Sequence, residues 1–238
     1  GEAAAVGFLV HPGLVDHGLS LRQVAEVAHA HGVPVVVDAA AAVPPKRNLG
    51  ALCAAGADLV AISGGKGLRG PQASGLLLGR RDLVEQARQA AFPHHGVGRT
   101  AKVTRDAIAG LAVAVADHLA LDEAAWLAGQ RAVLDRVAAA VDADARAAGC
   151  RVEVVADDDE FLVPALLVRP EAPGSGPDLA GIRTGLLRGD PPIHVRHRPR
   201  FGYLMVLALG LQAGEDDLDA ARDAAPDRHD ERSTGRSA

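Results

Sequence analysis

Aromatic side chains are scarce in this 238-residue chain: four Phe, one Tyr and one Trp make up only 3% of it, so any core must be built from Ala, Val and Leu. The two cysteines, Cys53 and Cys150, stand far apart, which leaves no disulfide framework and no cysteine zinc signature. No apolar run is long enough to cross a bilayer, and no charged-then-apolar leader is evident, so a reducing cytoplasm is the expected compartment. A net charge of −5 removes the electrostatic case for a nucleic-acid surface. What remains, 48% hydrophobic and 23% charged, is ordinary for a globular protein with one sizeable domain or two small ones.

Lysine is the most telling scarcity. Lys46, Lys66 and Lys102 are the only three among 25 basic residues, so an ordinary surface cation in this chain is an arginine. Arginine cannot shed its proton near neutral pH and attack a carbonyl, whereas a desolvated lysine can. Lys66 follows an apolar run, Leu59 to Ile62, that reads as a buried strand and breaks into Ser63-Gly64-Gly65-Lys66. Glycines at 64, 65, 67 and 70 are expected to give the turn unusual backbone freedom and to let a ligand approach closely.

Upstream, Val33 to Val37 is a second apolar run that ends in Asp38. The 28 residues from Asp38 to Lys66 suffice for a crossover helix, Asn48 to Ala55 closed by Gly56, and a return strand. Both groups then leave the same edge of a parallel sheet, where open α/β sheets bind their ligands. Taken singly, Asp38 is a strand-end cap and Lys66 a loop cation. Together they suit pyridoxal 5'-phosphate: the amine forms a Schiff base with the cofactor aldehyde, the carboxylate keeps the pyridine nitrogen protonated, and Ser63 is in reach of the phosphate.

The runs Asp38-Ala39-Ala40-Ala41, Ser63 to Gln72 and Ser74 to Arg80 resemble fold type I pyridoxal-phosphate enzymes, in the branch of selenocysteine synthase and D-glucosaminate-6-phosphate ammonia-lyase. The resemblance extends through Gly98 to Lys102 and more weakly to Leu187 to Ile193. It implies a large α/β domain with a mainly parallel sheet, incomplete at its N-terminal side, in which the strand within Gln72 to Leu78 is the antiparallel member. It also implies a small α+β C-terminal domain, a homo-oligomer with active sites between subunits, and a small anionic amino-acid substrate. The implied activity is α,β-elimination from an amino acid or amino sugar acid to a 2-keto acid, with selenocysteine synthase-like transfer, or a truncated non-catalytic protein, as alternatives. An arginine of the small domain commonly clamps the substrate carboxylate in such enzymes, which singles out Arg196.

Other segments are less specific. Ser20 and Gln23 form a capping box ahead of a helix stopped by Gly32. His29 and His31 close that helix, and Lys46 reads as a solvated loop cation. Arg99 and Lys102, ahead of a helix from about Thr104 to Leu119, suit a phosphate or carboxylate, or are simply a basic turn. His94 and His95 are either substrate acid/base groups or surface histidines. No Walker A or dinucleotide fingerprint survives inspection, and no metal ligand set is expected.

A long Ala-rich helix, Leu121 to Ala148 with a potential break at Gly129, leads into two to four short strands with helices on one face. The expected organisation is a partial cofactor-binding domain over 1–120, a linking helix and small domain over 121–225, and a disordered tail over 226–238.

Overall fold

The computed structural model describes residues 3–10, 18–155, 163–172 and 176–211. The sequence also leads one to expect a turn at His11-Pro12-Gly13, an acidic turn at Asp157 to Glu160, a strand beginning at Phe161 and a last helix from about Glu215; these beginnings, that helix and the tail lie outside the described residues. Described residues up to Trp126, with Val163, form one compact unit; the others from Leu127 onward form a second.

The first unit is a four-stranded sheet in the order β1 (Val6–Leu9), β2 (Val35–Asp38), β3 (Leu59–Ser63), β4 (Gly75–Gly79). The first three strands are parallel and β4 is antiparallel to β3. Because the strands follow one another in one direction, the right-handed crossovers α1 (Leu21–Ala30) and α2 (Asn48–Ala54) fall on the same side of the sheet. That face carries Val35, Val37, Val60 and Ile62, all buried, packed with Ala25 and Ala28 of α1 and Leu49 and Leu52 of α2. Val and Ile suit such a pleated, covered surface, and their alternation fixes which residues turn the other way.

Local signals set the element ends. The Ser20 hydroxyl accepts from the Gln23 N–H and the Gln23 side chain accepts from the Ser20 N–H, so the capping box is formed. Gly32, at φ 67, turns the chain off α1. Helices α3 (Arg81–Ala90) and α4 (Arg105–Ala120, capped by Thr104) follow β4. The helix α5 (Glu123–Ala147) runs unbroken through Gly129, where the sequence allowed a break: a single glycine costs about 1 kcal/mol, which the surrounding Ala, Leu and Arg residues outweigh.

The second unit is an antiparallel sheet in the order β5 (Cys150–Val155), β6 (Ala165–Pro170), β8 (Tyr203–Val206), β7 (Arg196–Arg198). On one face Val152, Val154, Leu166, Val168 and Leu204 pack with α5 through Leu134 and with α6 (Leu179–Arg188) through Leu179. Helices on one face of an antiparallel sheet give the α+β arrangement expected for this segment.

Candidate active site

Asp38 is the last residue of β2 and pairs in register with Ala61 of β3, so the two side chains share a face. Ser63, two residues beyond Ala61 at the end of β3, lies on that face as well. The carboxylate and the hydroxyl therefore stand at the carboxyl edge of adjacent parallel strands, on the face opposite Val37 and Ile62. Asp38 is exposed, and its Oδ1 accepts from the Ala40 N–H at 3.0 Å. Lys66 is exposed in the turn directly after β3, and among the described residues no hydrogen bond or ion pair engages its amine.

The glycines of that turn do something other than expected. None of Gly64, Gly65, Gly67 and Gly70 has a positive φ; the residue there that does is Arg69, at φ 57. Their lack of a side chain serves contact within the protein. A Cβ on Gly65 would lie 2.6 Å from the Gln72 Cα, and one on Gly67 would overlap the Val43 carbonyl oxygen and lie 2.6 Å from its carbon. The lysine turn is thus pressed against the loop that follows Asp38. Gln72 holds the turn from the other side by donating to the Gly65 carbonyl at 3.1 Å, and the Gly70 N–H donates to the Gly64 carbonyl at 2.8 Å.

The loop after Asp38 is itself fastened. Asn48, buried at the start of α2, donates to the Ala42 carbonyl at 2.7 Å. Lys46 is not the solvated cation expected: its Nζ donates to the Leu119 carbonyl at 2.9 Å and to the Leu121 carbonyl, at the end of α4. Carbonyls left unpaired at a helix C-terminus attract a cation, and α4 supplies them here. The Lys46 N–H donates to Glu123 Oε1 at 2.6 Å. His118 is buried close by with no partner for Nε2, and desolvation holds its pKa below the ordinary imidazole value.

At the opposite end of the strands Asp58 is buried and accepts from the Val35 N–H at 2.7 Å and from Arg80 at 3.1 Å, with His29 Nε2 at 2.8 Å. Burial by itself would raise its pKa, but the hydrogen bonds from Val35, His29 and Arg80 outweigh it and hold the carboxyl below the ordinary value. His29, in the last turn of α1, thus turns its ring to Asp58. Sequence reasoning passed over Asp58, although an acid immediately before an apolar strand, with Arg80 just after the strand that pairs with it, was a usable signal.

The remaining candidates fall into separate groups. Arg99 and Lys102 come together over the Phe92 ring, at 5.6 and 5.5 Å from its centroid, and Arg99 donates to the Pro93 carbonyl at 2.7 Å. His94 Nε2 lies 3.3 Å from Arg88, whose guanidinium also holds Glu85. The Arg88 and Gln89 hydrogen bonds draw the Glu85 carboxyl down to about 2. Arg196 is exposed on β7 opposite Met205, in the second unit. Among the described residues no cluster suits a metal ion, and no helix is long and apolar enough to cross a membrane.

Comparison with known proteins bears on the fold. Residues 18–105 match the aminotransferase class-V family. A 5'-C-glycyluridine monooxygenase-decarboxylase from Streptomyces sp is 31% identical over 179 residues, 75% of this chain and 42% of that protein. The D-glucosaminate-6-phosphate ammonia lyase of Salmonella typhimurium is 32% identical over 100 residues, 42% of this chain and 25% of that protein. A solved D-glucosaminate-6-phosphate ammonia-lyase superposes with a TM-score of 0.61 at 24% identity, over 92% of this chain and 56% of its own. The serine palmitoyltransferase of Sphingomonas wittichii superposes with a TM-score of 0.51 at 15% identity, over 92% of this chain and 55% of its own. The chain spans less than two thirds of each of these relatives. The chain has the fold of the fold type I pyridoxal-phosphate enzymes, and its residues 18–105 are similar to the aminotransferase class-V family.

Proposed function

We propose that this chain is the lysine-bearing portion of a pyridoxal-phosphate lyase that eliminates across the α and β carbons of an amino acid or amino sugar acid. The observation that carries the reading is an exposed strand-end acid, Asp38, together with a lysine, Lys66, that has no partner among the described residues and lies in a turn packed against the acid's own loop. The residues present fit the cofactor: Ala40 and Ala61 leave a low surface beside the acid, and Ser63 shares the face. When bound, pyridoxal phosphate supplies an aldehyde that captures amines and a ring that takes up the electron pair left when a bond at the amino carbon breaks.

The chain's own residues would take these parts. Asp38 would accept a hydrogen bond from the pyridine nitrogen and hold it protonated by its charge. Ser63 would donate to the phosphate. Lys66 would hold the cofactor through its amine and, when free, its Nζ would take the proton from the amino carbon of the substrate, with a β-hydroxyl as the leaving group. Arg99, Lys102 and Arg196 are the candidates for binding an anionic substrate, Arg196 through the planar fork that suits a carboxylate. The protein acts as a homo-oligomer in the cytoplasm.

A second reading is favoured by the extent of the Streptomyces match, which runs over 75% of the chain: an oxidative decarboxylation at the same amino carbon. Selenocysteine synthase-like transfer is less favoured, since a chain of net charge −5 lacks the basic face a tRNA substrate calls for.

The test is incubation of the full chain with pyridoxal phosphate, followed by borohydride reduction and peptide mapping. Visible absorbance and a cofactor adduct on Lys66, both lost in Lys66→Ala, are the expected result. A colourless protein, or equal colour in the variant, overturns the cofactor reading. Ammonia release from amino sugar acids without oxygen uptake supports the lyase; oxygen consumption with loss of carbon dioxide supports the second reading.

A further inference from the structure

We propose that His118 makes the loop beside Asp38 acid-sensitive: a proton taken up by its buried ring loosens the Lys46 clasp and, through the loop, the hold on the cofactor. The cofactor half rests on the function proposed above; the clasp does not. His118 stands on the buried face of α4 with Ala107 and Leu111 and is only 7% exposed. Its Nε2 is buried without a hydrogen-bond partner among the described residues. A leucine there would suit the same face and leave nothing unpaired, whereas an unpaired buried polar atom costs stability. The ring thus sits where packing alone does not call for it.

Two charged side chains act on the ring from other elements: Glu123, in the first turn of α5, and Lys46, in the loop ahead of α2. They are also the two members of the clasp. Lys46 Nζ donates to the Leu119 and Leu121 carbonyls, and the Lys46 N–H donates to Glu123 Oε1 at 2.6 Å. The other ionisable groups of the surrounding segments are Asp117 on α4, Asp122 before α5, Arg47 beside Lys46, and Lys66 and Arg69 in the turn that meets Leu111. All five are exposed, where water and salt screen them. A positive charge on the ring repels the Lys46 ammonium from the carbonyls it caps and draws the Glu123 carboxylate off the Lys46 N–H. Both effects strain the same joints, in a partly dehydrated corner where charges act strongly. The loop then keeps the Asn48 tether and loses the one to α4. Burial, opposed by Glu123 and aided by Lys46, holds the imidazole below its ordinary value. The stability tied to the neutral ring is therefore complete above about pH 6.5 and is lost as pH falls through the lowered pKa.

The single tryptophan of the chain, Trp126, lies in α5 about one turn beyond Glu123 and reports on this corner. Its fluorescence is followed in the full chain, without cofactor, from about pH 8 to about pH 5. Wild type should show a step with its midpoint below about pH 6.5, and His118→Gln, which has no proton to gain, should lack it. His118→Leu, which suits the apolar face, decides the matter if the glutamine variant does not fold. In absorbance titrations, pyridoxal phosphate affinity should fall on acidification at least about fivefold more in wild type than in the variant, a comparison that removes the titration of Lys66 itself. No step in wild type, or an equal step in the folded variant, overturns the inference; an equal fall in affinity in both overturns its cofactor half. A step confined to wild type, in a protein that takes up no cofactor at any pH, sustains the clasp and overturns instead the function proposed above.

Discussion

Replacing Gly67 with alanine places a methyl group where two loops are already in contact. The new Cβ would overlap the Val43 carbonyl oxygen and lie 2.6 Å from the Val43 carbon and 2.8 Å from Pro44 Cδ. Those neighbours are backbone and a proline ring, so no flexible side chain can swing aside. Restoring ordinary contact requires the lysine turn and the Val43 loop to part by roughly 2 Å, and overpacking without a soft neighbour costs about 3 kcal/mol. For a chain of this size that corresponds to a fall of about 6 to 12 °C in melting temperature. The matched control is Gly50→Ala in α2, where nothing lies within 4 Å and a helix gains up to about 1 kcal/mol from the change. Thermal melts of both variants by circular dichroism, with a cofactor absorbance titration beside them, provide the measurement. Gly67→Ala should melt early and bind cofactor weakly; Gly50→Ala should match or exceed the wild type. A Gly67→Ala protein melting within about 1 °C of wild type would refute the packing of these loops.

Three further outcomes are expected. Asp58→Asn should lower stability at neutral pH by about 1 to 2 kcal/mol, since the half-exposed His29 and Arg80 add less to the buried carboxylate than enclosed partners would. Because the folded carboxyl is held below its ordinary value, its contribution is complete above about pH 4 and fades as pH falls through the lowered pKa. The gap between wild type and variant should therefore shrink as the pH falls below about 4 in melts across the acid range, and a constant gap would contradict the assignment. Lys46→Met should cost about 1 kcal/mol, or 2 to 4 °C, by uncapping the end of α4; an unchanged melting temperature would return Lys46 to the solvent. Asp38→Asn keeps the acceptor for the Ala40 N–H, so folding should be unaltered while cofactor affinity drops at least tenfold in an absorbance titration; equal affinity would remove Asp38 from the site.

The parallel strands and the acid and lysine at their edge were legible because each rests on short-range chemistry: a β-branched run, a following carboxylate or glycine turn, and a spacing that admits one helix. The capping box at Ser20 was legible for the same reason. What escaped depends on partners distant in the chain. Lys46 is bonded to residues more than seventy positions away, and a local window cannot distinguish that from a solvated loop. The strand Arg196–Arg198 has no apolar alternation to announce it; pairing with Tyr203–Val206 creates it. The turn glycines were recognised as necessary but for backbone freedom, whereas the close approach they permit is to Val43, Gln72 and Ser74.

The segment between Asp38 and α2 is bolted by side chains at its middle, Asn48 to the Ala42 carbonyl, and near its far end, Lys46 to the end of α4. Its shape is settled before any visitor arrives, so a flat ring docking beside Asp38 has no wall left to build and little chain entropy to lose there. Association on this side should proceed as one concentration-dependent step, without a slower ordering phase trailing behind it.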